Sequence, residues 1–567
     1  MNKLKPLPEE WSGLLNNEQK EAIENINGPL LIIAGAGSGK TRVLTYRYAH
    51  LIKTYGINFE NVLAITFTNK AANEMKDRIS DLLNLELSPK WISTFHSLCV
   101  KMLRIHGHLI GFNNNFTIYD QSDSTKLVRN CMRDSDIDTK QYSPKRIQAH
   151  ISSLKNQRIL PGEAVEFAQS FFDVKVAEIY SSYQKKLMLA NSMDFDDLLI
   201  KAVELLETSD KSLNYWSSKF QYIMIDEYQD TNMVQYRLVE LLASKHKNIC
   251  VVGDSDQSIY AFRGADIRNI EEFESDFKNA KVISLEKNYR SSQKILDIAN
   301  AVISNNPRKK DKKLWTDNDE GLDVNLVEFN SERDESRWIA EQINKLLEDK
   351  AFTEIAIFYR TNNQSRLFEE ELRKLSLSYK VVGNVRFYDR KEIKDILAYL
   401  NYLINPEDTV SFERILNVPK RGIGESTLQK LRDYANKNEI SLSKSIENLD
   451  EINNLSDRVK KQINNFKEII NDLKSFALQG PSETISKTLE LTGYKDELVK
   501  EGTLDSQMRL ENLDELLTSA FEFENLYEED IEDPFTVLRD YLESIALFTD
   551  SDDVDKEDRI LLMTLHN

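Results

Sequence analysis

Short runs of apolar residues alternate with stretches of helical periodicity in the first half of the chain. The apolar runs cover residues 30–33, 62–66, 91–94, 222–225 and 249–252. Such runs are typical of strands that are buried on both faces, and their alternation with helices favours a parallel sheet. The pattern therefore predicts an α/β domain whose sheet is covered by helices on both sides.

The spacing of these strands indicates an insertion. Lys40 follows the first predicted strand and its loop, and Asp226 follows a later strand. The chain between them is far longer than the roughly 30 residues of a βαβ unit. Residues 111–190 are rich in charge and helical periodicity. We therefore predict a first α/β domain formed by residues 1–110 and 191–280, with a helical insertion over residues 111–190.

A second α/β pattern begins after residue 280 and is interrupted by a long helical stretch. Strands are predicted at residues 282–285, 324–329, 354–359 and 560–564. Residues 385–554 are mostly polar and acidic, with the Leu/Ile spacing of helices. We predict a second α/β domain from residues 281–384 and 555–567, with a helical insertion over residues 385–554.

The composition is that of an ordinary multidomain protein, with 567 residues of which 41% are hydrophobic and 29% charged. No stretch approaches the roughly 18 consecutive apolar residues of a membrane span, and the N-terminus lacks the apolar segment of a signal peptide. Cys99, Cys131 and Cys250 are widely spaced, which indicates neither a disulfide framework nor a zinc site. These features predict a cytoplasmic protein without a membrane partner.

The charge balance limits how nucleic acid can be bound. The formal net charge is −19 at pH 7, which argues against a uniformly basic protein that coats a polynucleotide. A polynucleotide partner must therefore bind in a local groove.

A glycine-rich loop joins the strand at residues 30–33 to a helix. Its residues are Ala34, Gly35, Ala36, Gly37, Ser38, Gly39, Lys40 and Thr41. Small side chains let consecutive backbone N–H groups surround the phosphates of a nucleoside triphosphate. Lys40 would reach the β/γ oxygens and Thr41 would ligate Mg²⁺. Ala34 replaces the motif's first glycine, which weakens the bare pattern. A plain glycine-rich turn is the alternative.

Two further strand ends carry groups suited to hydrolysis. Asp226 suits the Mg²⁺ shell, and Glu227 suits the base that orients and deprotonates water. An acidic pair after a strand is by itself a common loop start, but with the phosphate loop it indicates hydrolysis. After the strand at residues 249–252, Gln257 would sense the γ-phosphate, while Tyr260, Phe262 and Arg263 would touch bases and phosphates.

Together these motifs resemble those of superfamily 1 DNA helicases of the UvrD/Rep/PcrA type. The matching segments are residues 15–19, 34–41, 65–72, 93–97, 226–232, 253–264, 285–292 and 359–362. The resemblance extends through nearly the whole chain. It implies two RecA-like P-loop domains, each with a mainly helical inserted subdomain, of which the second RecA-like domain is incomplete.

The resemblance implies ATP as the nucleotide and Mg²⁺ as the metal. Gln19 would read the adenine edge, because a carboxamide both donates and accepts. Tyr289 and Arg42 would sandwich the base. Arg290 would act with Gln257 on the γ-phosphate, as an arginine finger from the second α/β domain.

Single-stranded DNA would cross both α/β domains, held by stacking and backbone contacts. The resemblance assigns these contacts to Phe67, Thr94, His96, Tyr260, Phe262, Arg263, Arg360, Asn362 and His566. Most such relatives have tryptophan where Phe262 stands. Phe67 alone fits a core aromatic as well as a stacking residue. Gly422 and Gly424 resemble the family's duplex-grip motif, in which glycines let backbone N–H groups approach phosphates.

The implied activity is ATP-dependent 3′-5′ movement on single-stranded DNA and duplex unwinding in repair or replication. Expected partners are single-stranded DNA, 3′-tailed duplex DNA and repair or replication proteins, with the chain acting as a monomer or weak dimer. Residues 563–567 resemble the opening of the family's fifth motif, which predicts a truncated chain. The alternative is a catalytically impaired ATP- and DNA-binding module.

Overall fold

The apolar runs form parallel strands in the computed structural model, which describes residues 5–85, 89–306, 312–347, 351–383, 387–527, 533–548 and 558–566. In chain order the strands are β1 (Leu30–Ala34), β2 (Val62–Thr66), β3 (Ile92–Thr94), β4 (Thr117–Tyr119), β5 (Ser192–Asp194), β6 (Tyr222–Ile225), β7 (Ile249–Gly253), β8 (Lys281–Leu285), β9 (Ala356–Tyr359), β10 (Tyr379–Val381) and β11 (Ile560–Thr564). The predicted α/β fold with a parallel sheet is confirmed.

Helices separate the strands and form most of the rest of the chain. They are α1 (Glu9–Ser12), α2 (Asn17–Glu24), α3 (Lys40–Tyr55), α4 (Asn69–Leu83), α5 (Phe95–His106), α6 (Gln121–Asp134), α7 (Pro144–Asn156), α8 (Phe171–Leu189), α9 (Phe195–Thr208), α10 (Asp210–Lys219), α11 (Met233–Ala243), α12 (Arg268–Glu271), α13 (Phe273–Asp276), α14 (Gln293–Ile303), α15 (Glu332–Leu346), α16 (Ser365–Lys374), α17 (Lys391–Ile404), α18 (Thr409–Ile415), α19 (Glu425–Asn438), α20 (Asp457–Ala477), α21 (Pro481–Leu491), α22 (Tyr494–Glu501), α23 (Leu504–Asn525) and α24 (Thr536–Ala546). Within the described ranges, no helix has both the length and the hydropathy needed to cross a membrane.

The chain divides into two units. The first comprises Met1–Leu98, Leu206–Asn384 and Thr549–Asn567, and the second comprises Cys99–Leu205 and Val385–Phe548. The divisions near residues 98 and 205 fall within α5 and α9, so the second unit extends beyond the predicted insertion limits of 111 and 190. The predicted limits at 384/385 and 554/555 lie outside the described residues.

The first unit contains two parallel sheets. The larger has the strand order β3-β2-β6-β7-β1-β8, and the smaller has the order β10-β11-β9. Every residue of β2, β6 and β7 is buried, whereas β8 at the edge alternates between buried and exposed positions. Parallel strands covered on both faces require such continuous apolar runs. The carboxyl ends of β1, β6 and β7 therefore meet at one edge of the larger sheet.

One predicted strand is absent and another lies in a different sheet from the one expected. Residues 282–285 do form a strand, but it pairs with β1, so the larger sheet extends past the predicted domain limit at residue 280. Residues 324–329 form no strand, and the side chain of Leu326 is fully exposed. Most of these side chains are apolar, as in a short strand, but no backbone in the described part of the chain pairs with them.

The second unit is mainly helical, with β4 and β5 as a small parallel pair. One apolar core forms among α6, α7 and α8, and Val410 of α18 packs into it. A larger core forms among α17 to α24. Asn405 joins the two chain segments that form this unit. Its Nδ2 lies 2.9 Å from Thr117 Oγ1 and 2.9 Å from the carbonyl oxygens of Ala190 and Asn191.

We expect Asn405→Ala to destabilise the second unit by about 1–3 kcal/mol, because it removes buried hydrogen bonds and leaves polar groups with fewer partners. The side chain is only 1% exposed. Urea unfolding followed by circular dichroism measures the change. Asn453→Ala, at an exposed position of the same unit, should change stability by less than about 0.5 kcal/mol. Equal effects of the two substitutions would contradict a structural role for Asn405.

Candidate nucleotide and DNA site

The phosphate loop requires glycine at two positions. Gly37 and Gly39 have φ values of +68° and +89°, a region that side chains disfavour. A Cβ atom on Gly37 would lie 2.6 Å from Asn288 Nδ2 and 2.8 Å from Arg290 Cβ. Lys40 and Thr41 follow as the first two residues of α3. The loop therefore brings its backbone and the start of α3 together, as phosphate binding needs.

Lys40 is the centre of the predicted catalytic group. Its Nζ lies 2.8 and 2.7 Å from the two carboxylate oxygens of Glu227, and 3.4 Å from Gln257 Oε1. These residues follow β1, β6 and β7 in the chain, and the carboxyl ends of those strands meet at one sheet edge. A γ-phosphate bound to Lys40 would take the place of the Glu227 carboxylate beside the ammonium group. The carboxylate would then be available to a water molecule.

Asp226 and Thr41 have the donor set for Mg²⁺. Thr41 Oγ1 lies 3.4 Å from Asp226 Oδ2. Burial, with the neighbouring charge of Glu227, raises the pKa of Asp226 to about 6. Among the residues described, no three His, Cys, Asp or Glu side chains are grouped to hold a metal. Mg²⁺ here would take its other ligands from phosphates and water, which is its usual mode of binding, and it would neutralise phosphate charge.

The backbone at Glu227 is strained. Its φ is +50°, which is uncommon for a residue with a side chain. Its carbonyl accepts a hydrogen bond from Asp230 N at 3.0 Å, and its Oε2 accepts one from Gln229 Nε2 at 2.9 Å. The turn of residues Tyr228–Asp230 thus holds the carboxylate toward Lys40. Such strained residues occur at active sites, where the surrounding contacts maintain them.

Gln19 lies beside the phosphate loop and is almost fully buried. Its Oε1 accepts from Asn16 N at 3.1 Å, and its Nε2 donates to the Ser38 carbonyl at 3.0 Å. One lone pair and one N–H of the carboxamide remain, which is the pattern that the adenine N6/N7 edge requires. Asn16 Nδ2 also donates to the Tyr289 hydroxyl at 3.0 Å. Gln19 and Tyr289, two of the three predicted adenine-binding residues, are therefore both linked to Asn16.

Arg42 and Arg290 both lie close to the phosphate loop. The Arg42 guanidinium packs over the Tyr46 ring at 5.8 Å. Arg290 follows β8, which pairs with β1 in the larger sheet, so this arginine comes shortly after a strand end of that sheet. Tyr289 N donates to the Gly37 carbonyl at 2.9 Å, and this bond holds the Arg290 segment beside the phosphate loop.

An aromatic cluster follows Gln257 in the chain. The Phe262 ring lies 4.9 Å from the His566 ring and 6.2 Å from the Tyr260 ring, and Tyr260 Oη donates to the His566 carbonyl at 3.2 Å. The Arg263 guanidinium lies within 5.6 Å of both the Tyr260 and Phe262 ring centres. Phe262 is 67% exposed. An exposed ring beside a cation suits the stacking of unpaired bases.

Comparison with known proteins identifies the family. Residues 15–278 match the profile of the UvrD/REP helicase N-terminal domain, and residues 283–567 match that of the UvrD-like helicase C-terminal domain. The ATP-dependent DNA helicases PcrA of Staphylococcus aureus (strain NCTC 8325 / PS 47) and Staphylococcus epidermidis (strain ATCC 12228 / FDA PCI 1200) are each 45% identical over 555 residues. Each match covers 98% of this chain and 75% of the relative.

The chain belongs to the UvrD-like helicase family. The resemblance stated from its motifs is confirmed, and so is the class of ATP-hydrolysing DNA helicase.

The other DNA contacts implied for this UvrD-like helicase lie at two places in the first unit. Phe67 is half-buried with its ring 6.2 Å from that of Phe95, so both interpretations of it stay open. Thr94 Oγ1 and Ser97 Oγ share a hydrogen bond of 2.9 Å. Burial lowers the pKa of His96 to about 4, so at neutral pH this side chain would meet DNA as a neutral ring.

Arg360, Asn362 and His566 follow neighbouring strands of the smaller sheet. Arg360 and Asn362 come after β9 and are exposed, and His566 comes after β11, which pairs with β9. Asn362 Nδ2 donates to the Gly383 carbonyl at 3.3 Å. The carboxyl edge of this sheet therefore carries one cation and two polar side chains.

The predicted duplex-grip glycines of the UvrD-like helicase lie in the second unit. Gly422 has a φ of +75°, and Gly424 precedes α19. A Cβ atom at either position would meet nothing within 4 Å. The start of α19 is therefore open on the side of Gly422 and Gly424, where backbone N–H groups can meet a phosphate.

Three buried residues of the helicase site were not predicted. Gln229 Oε1 accepts from Asp254 N at 2.9 Å, and Asp254 Oδ2 accepts from Gln257 Nε2 at 2.6 Å. Asn288 Nδ2 donates to the Ala36 carbonyl at 2.6 Å, and its Oδ1 accepts from Arg290 N at 2.8 Å. All three lie within motifs noted in the sequence. Their position inside those motifs was the only available signal, because polar residues in loops show no periodicity.

Proposed function

We propose that this UvrD-like helicase hydrolyses ATP with Mg²⁺ and uses the energy to move 3′ to 5′ on single-stranded DNA and to unwind duplexes. The observation that supports it most is the convergence of Glu227 and Gln257 on Lys40, with Asp226 beside Thr41. A base, a phosphate-binding lysine, a phosphate sensor and a metal ligand are the groups that phosphoryl transfer to water requires.

Each residue has a distinct role in this proposal. Lys40 and the phosphate loop bind the β- and γ-phosphates, and Thr41 and Asp226 hold Mg²⁺. Glu227 orients and deprotonates the attacking water. Gln257 and Arg290 contact the γ-phosphate, and Gln19, Tyr289 and Arg42 bind adenine. These assignments agree with the burial of Gln19 and with the hydrogen bonds of Gln19 and Glu227 described above.

Chain connectivity supports coupling between ATP and DNA. The turn Ser255–Gln257 is followed within a few residues by the turn Ala261–Arg263. A movement of Gln257 toward a γ-phosphate would thus be transmitted along a short, ordered segment to Tyr260 and Phe262. We propose single-stranded DNA and 3′-tailed duplexes as substrates, repair or replication as the role, and a monomer or weak dimer as the active form.

The proposal is tested by ATPase and strand-displacement assays on residues 1–567. We expect ATP hydrolysis to be stimulated by single-stranded DNA, and a 3′-tailed duplex to be unwound in preference to a 5′-tailed one. Preference for the 5′ tail would contradict the direction. Binding of ATP and DNA without turnover would favour the alternative of a catalytically impaired module.

Phe262→Ala is expected to weaken binding of single-stranded DNA by about 5- to 150-fold, because base stacking on an aromatic ring contributes about 1–3 kcal/mol per base. Phe262→Trp should bind at least as tightly as the wild type, since its ring is larger. Fluorescence anisotropy with a labelled oligothymidylate measures both. Phe171→Ala removes a similarly exposed ring in the second unit and should leave affinity unchanged. An unchanged affinity of the Phe262→Ala protein would exclude stacking on this ring.

A further inference from the structure

The short segment of residues 312–315, which follows α14 in the chain, packs on the phosphate loop. A Cβ atom on Gly35 would lie 2.2 Å from Leu314 Cδ2, so the Leu314 side chain packs directly on the loop. The backbone of Trp315 forms an isolated parallel β-bridge with that of Lys287. The Trp315 carbonyl accepts a hydrogen bond from Asn288 N at 2.8 Å. The segment is therefore fixed both to the phosphate loop and to the chain that leads to Arg290.

Lys312, at the start of this segment, forms a buried ion pair. Its Nζ pairs with Asp254 Oδ1 and lies 3.3 Å from Asp256 Oδ2. The Lys312 and Asp254 side chains are 7% and 3% exposed. Removing one partner of such a buried pair leaves the other charge uncompensated, which is strongly unfavourable. Asp254 Oδ1 also accepts a hydrogen bond from Asp256 N at 3.1 Å, so Lys312 and this backbone N–H together hold the Asp254 carboxylate.

The Asp254 carboxylate in turn holds Gln257. Its Oδ2 accepts from Gln257 Nε2 at 2.6 Å, and the Gln257 Oε1 lies 3.4 Å from Lys40 Nζ. With one carboxylate oxygen held by Lys312, the other oxygen fixes which end of the Gln257 amide faces Lys40. A continuous series of polar contacts therefore runs from Lys312 through Asp254 and Gln257 to Lys40.

We propose that Lys312 is a positioning residue for ATP hydrolysis, which acts through Asp254 to orient the Gln257 amide at the γ-phosphate. The inference rests on the proposed ATPase function and extends it to a residue outside the predicted motifs. Lys312 would not touch the nucleotide. Its loss should therefore affect turnover more than ATP binding.

Steady-state ATPase measurements with saturating single-stranded DNA test the proposal. We expect Lys312→Met to lower kcat by about 10- to 100-fold while the KM for ATP changes by less than about threefold. Lys312→Arg keeps the charge and should recover most of the lost rate. Lys313→Met changes the adjacent exposed lysine and should match the wild type.

A double-mutant cycle separates positioning from general destabilisation. If Lys312 acts through Gln257, adding Lys312→Met to Gln257→Ala should lower kcat by less than a further twofold. Independent, multiplicative losses would overturn the proposal, as would a normal kcat for Lys312→Met. If a thermal melt shows that Lys312→Met is unfolded at the assay temperature, Lys312→Gln is used in its place. An unchanged kcat for Lys312→Gln would likewise overturn the proposal. Absence of turnover in the wild type would overturn the proposed function as well, whereas wild-type turnover with an unaffected variant overturns only this inference.

Discussion

Lys40→Ala is expected to weaken ATP binding by at least about 100-fold, which corresponds to about 2.7 kcal/mol. The Lys40 ammonium group lies between the Glu227 and Gln257 side chains, and it is the one cation among these three residues. Charge-assisted hydrogen bonds to phosphate are stronger than neutral ones. The substitution also leaves Glu227 and Asp226 as neighbouring carboxylates without this counterion. Titration with a fluorescent ATP analogue in the presence of Mg²⁺ measures the affinity.

Lys53→Ala is the matched control for this substitution. Lys53 lies in the last turn of the same helix, α3, and its ion pair with Glu10 is largely exposed. Surface pairs of this kind contribute less than about 1 kcal/mol. We expect wild-type ATP affinity and a nearly unchanged melting temperature for Lys53→Ala. A wild-type affinity for Lys40→Ala would mean that nucleotide binds elsewhere.

The sequence predicts the larger sheet and its catalytic edge well for one physical reason. Strands buried on both faces must be continuously apolar, and the carboxyl ends of parallel strands lie together. Lys40, Asp226 and Gln257 could therefore be assigned to one site even though long segments separate them. The RecA-like plan came from the motif resemblance and not from periodicity.

Other features depend on partners that local sequence does not reveal. The strand β8 has a recognisable pattern, but nothing in residues 281–285 indicates that it pairs with β1. Residues 324–329 have the apolar composition of a strand and yet pair with no strand among the residues that the structure describes. In the sequence, Lys312 is one of several neighbouring basic residues. Its contact with the site arises only because folding buries it against Asp254, 58 residues away.

Glu227→Gln is expected to keep ATP binding while lowering turnover by at least about 100-fold, because the substituted amide cannot accept a proton from water. The change keeps the size of the side chain and an oxygen that can accept from Gln229. It also removes the carboxylate that pairs with Lys40 at 2.7 Å. The lysine is then held less strongly away from phosphate, so ATP should bind at least as tightly as to the wild type.

Two measurements separate the base from a structural role. Single-turnover hydrolysis reports the chemical step, and equilibrium titration reports binding. Glu240→Gln makes the same change on α11, where Glu240 is 45% exposed and pairs with Arg237, and it should hydrolyse ATP at the wild-type rate. If Glu227→Gln lost binding together with turnover, the carboxylate would be supporting the phosphate loop. Normal hydrolysis by Glu227→Gln would instead mean that Glu227 is not the base and that another group activates the water.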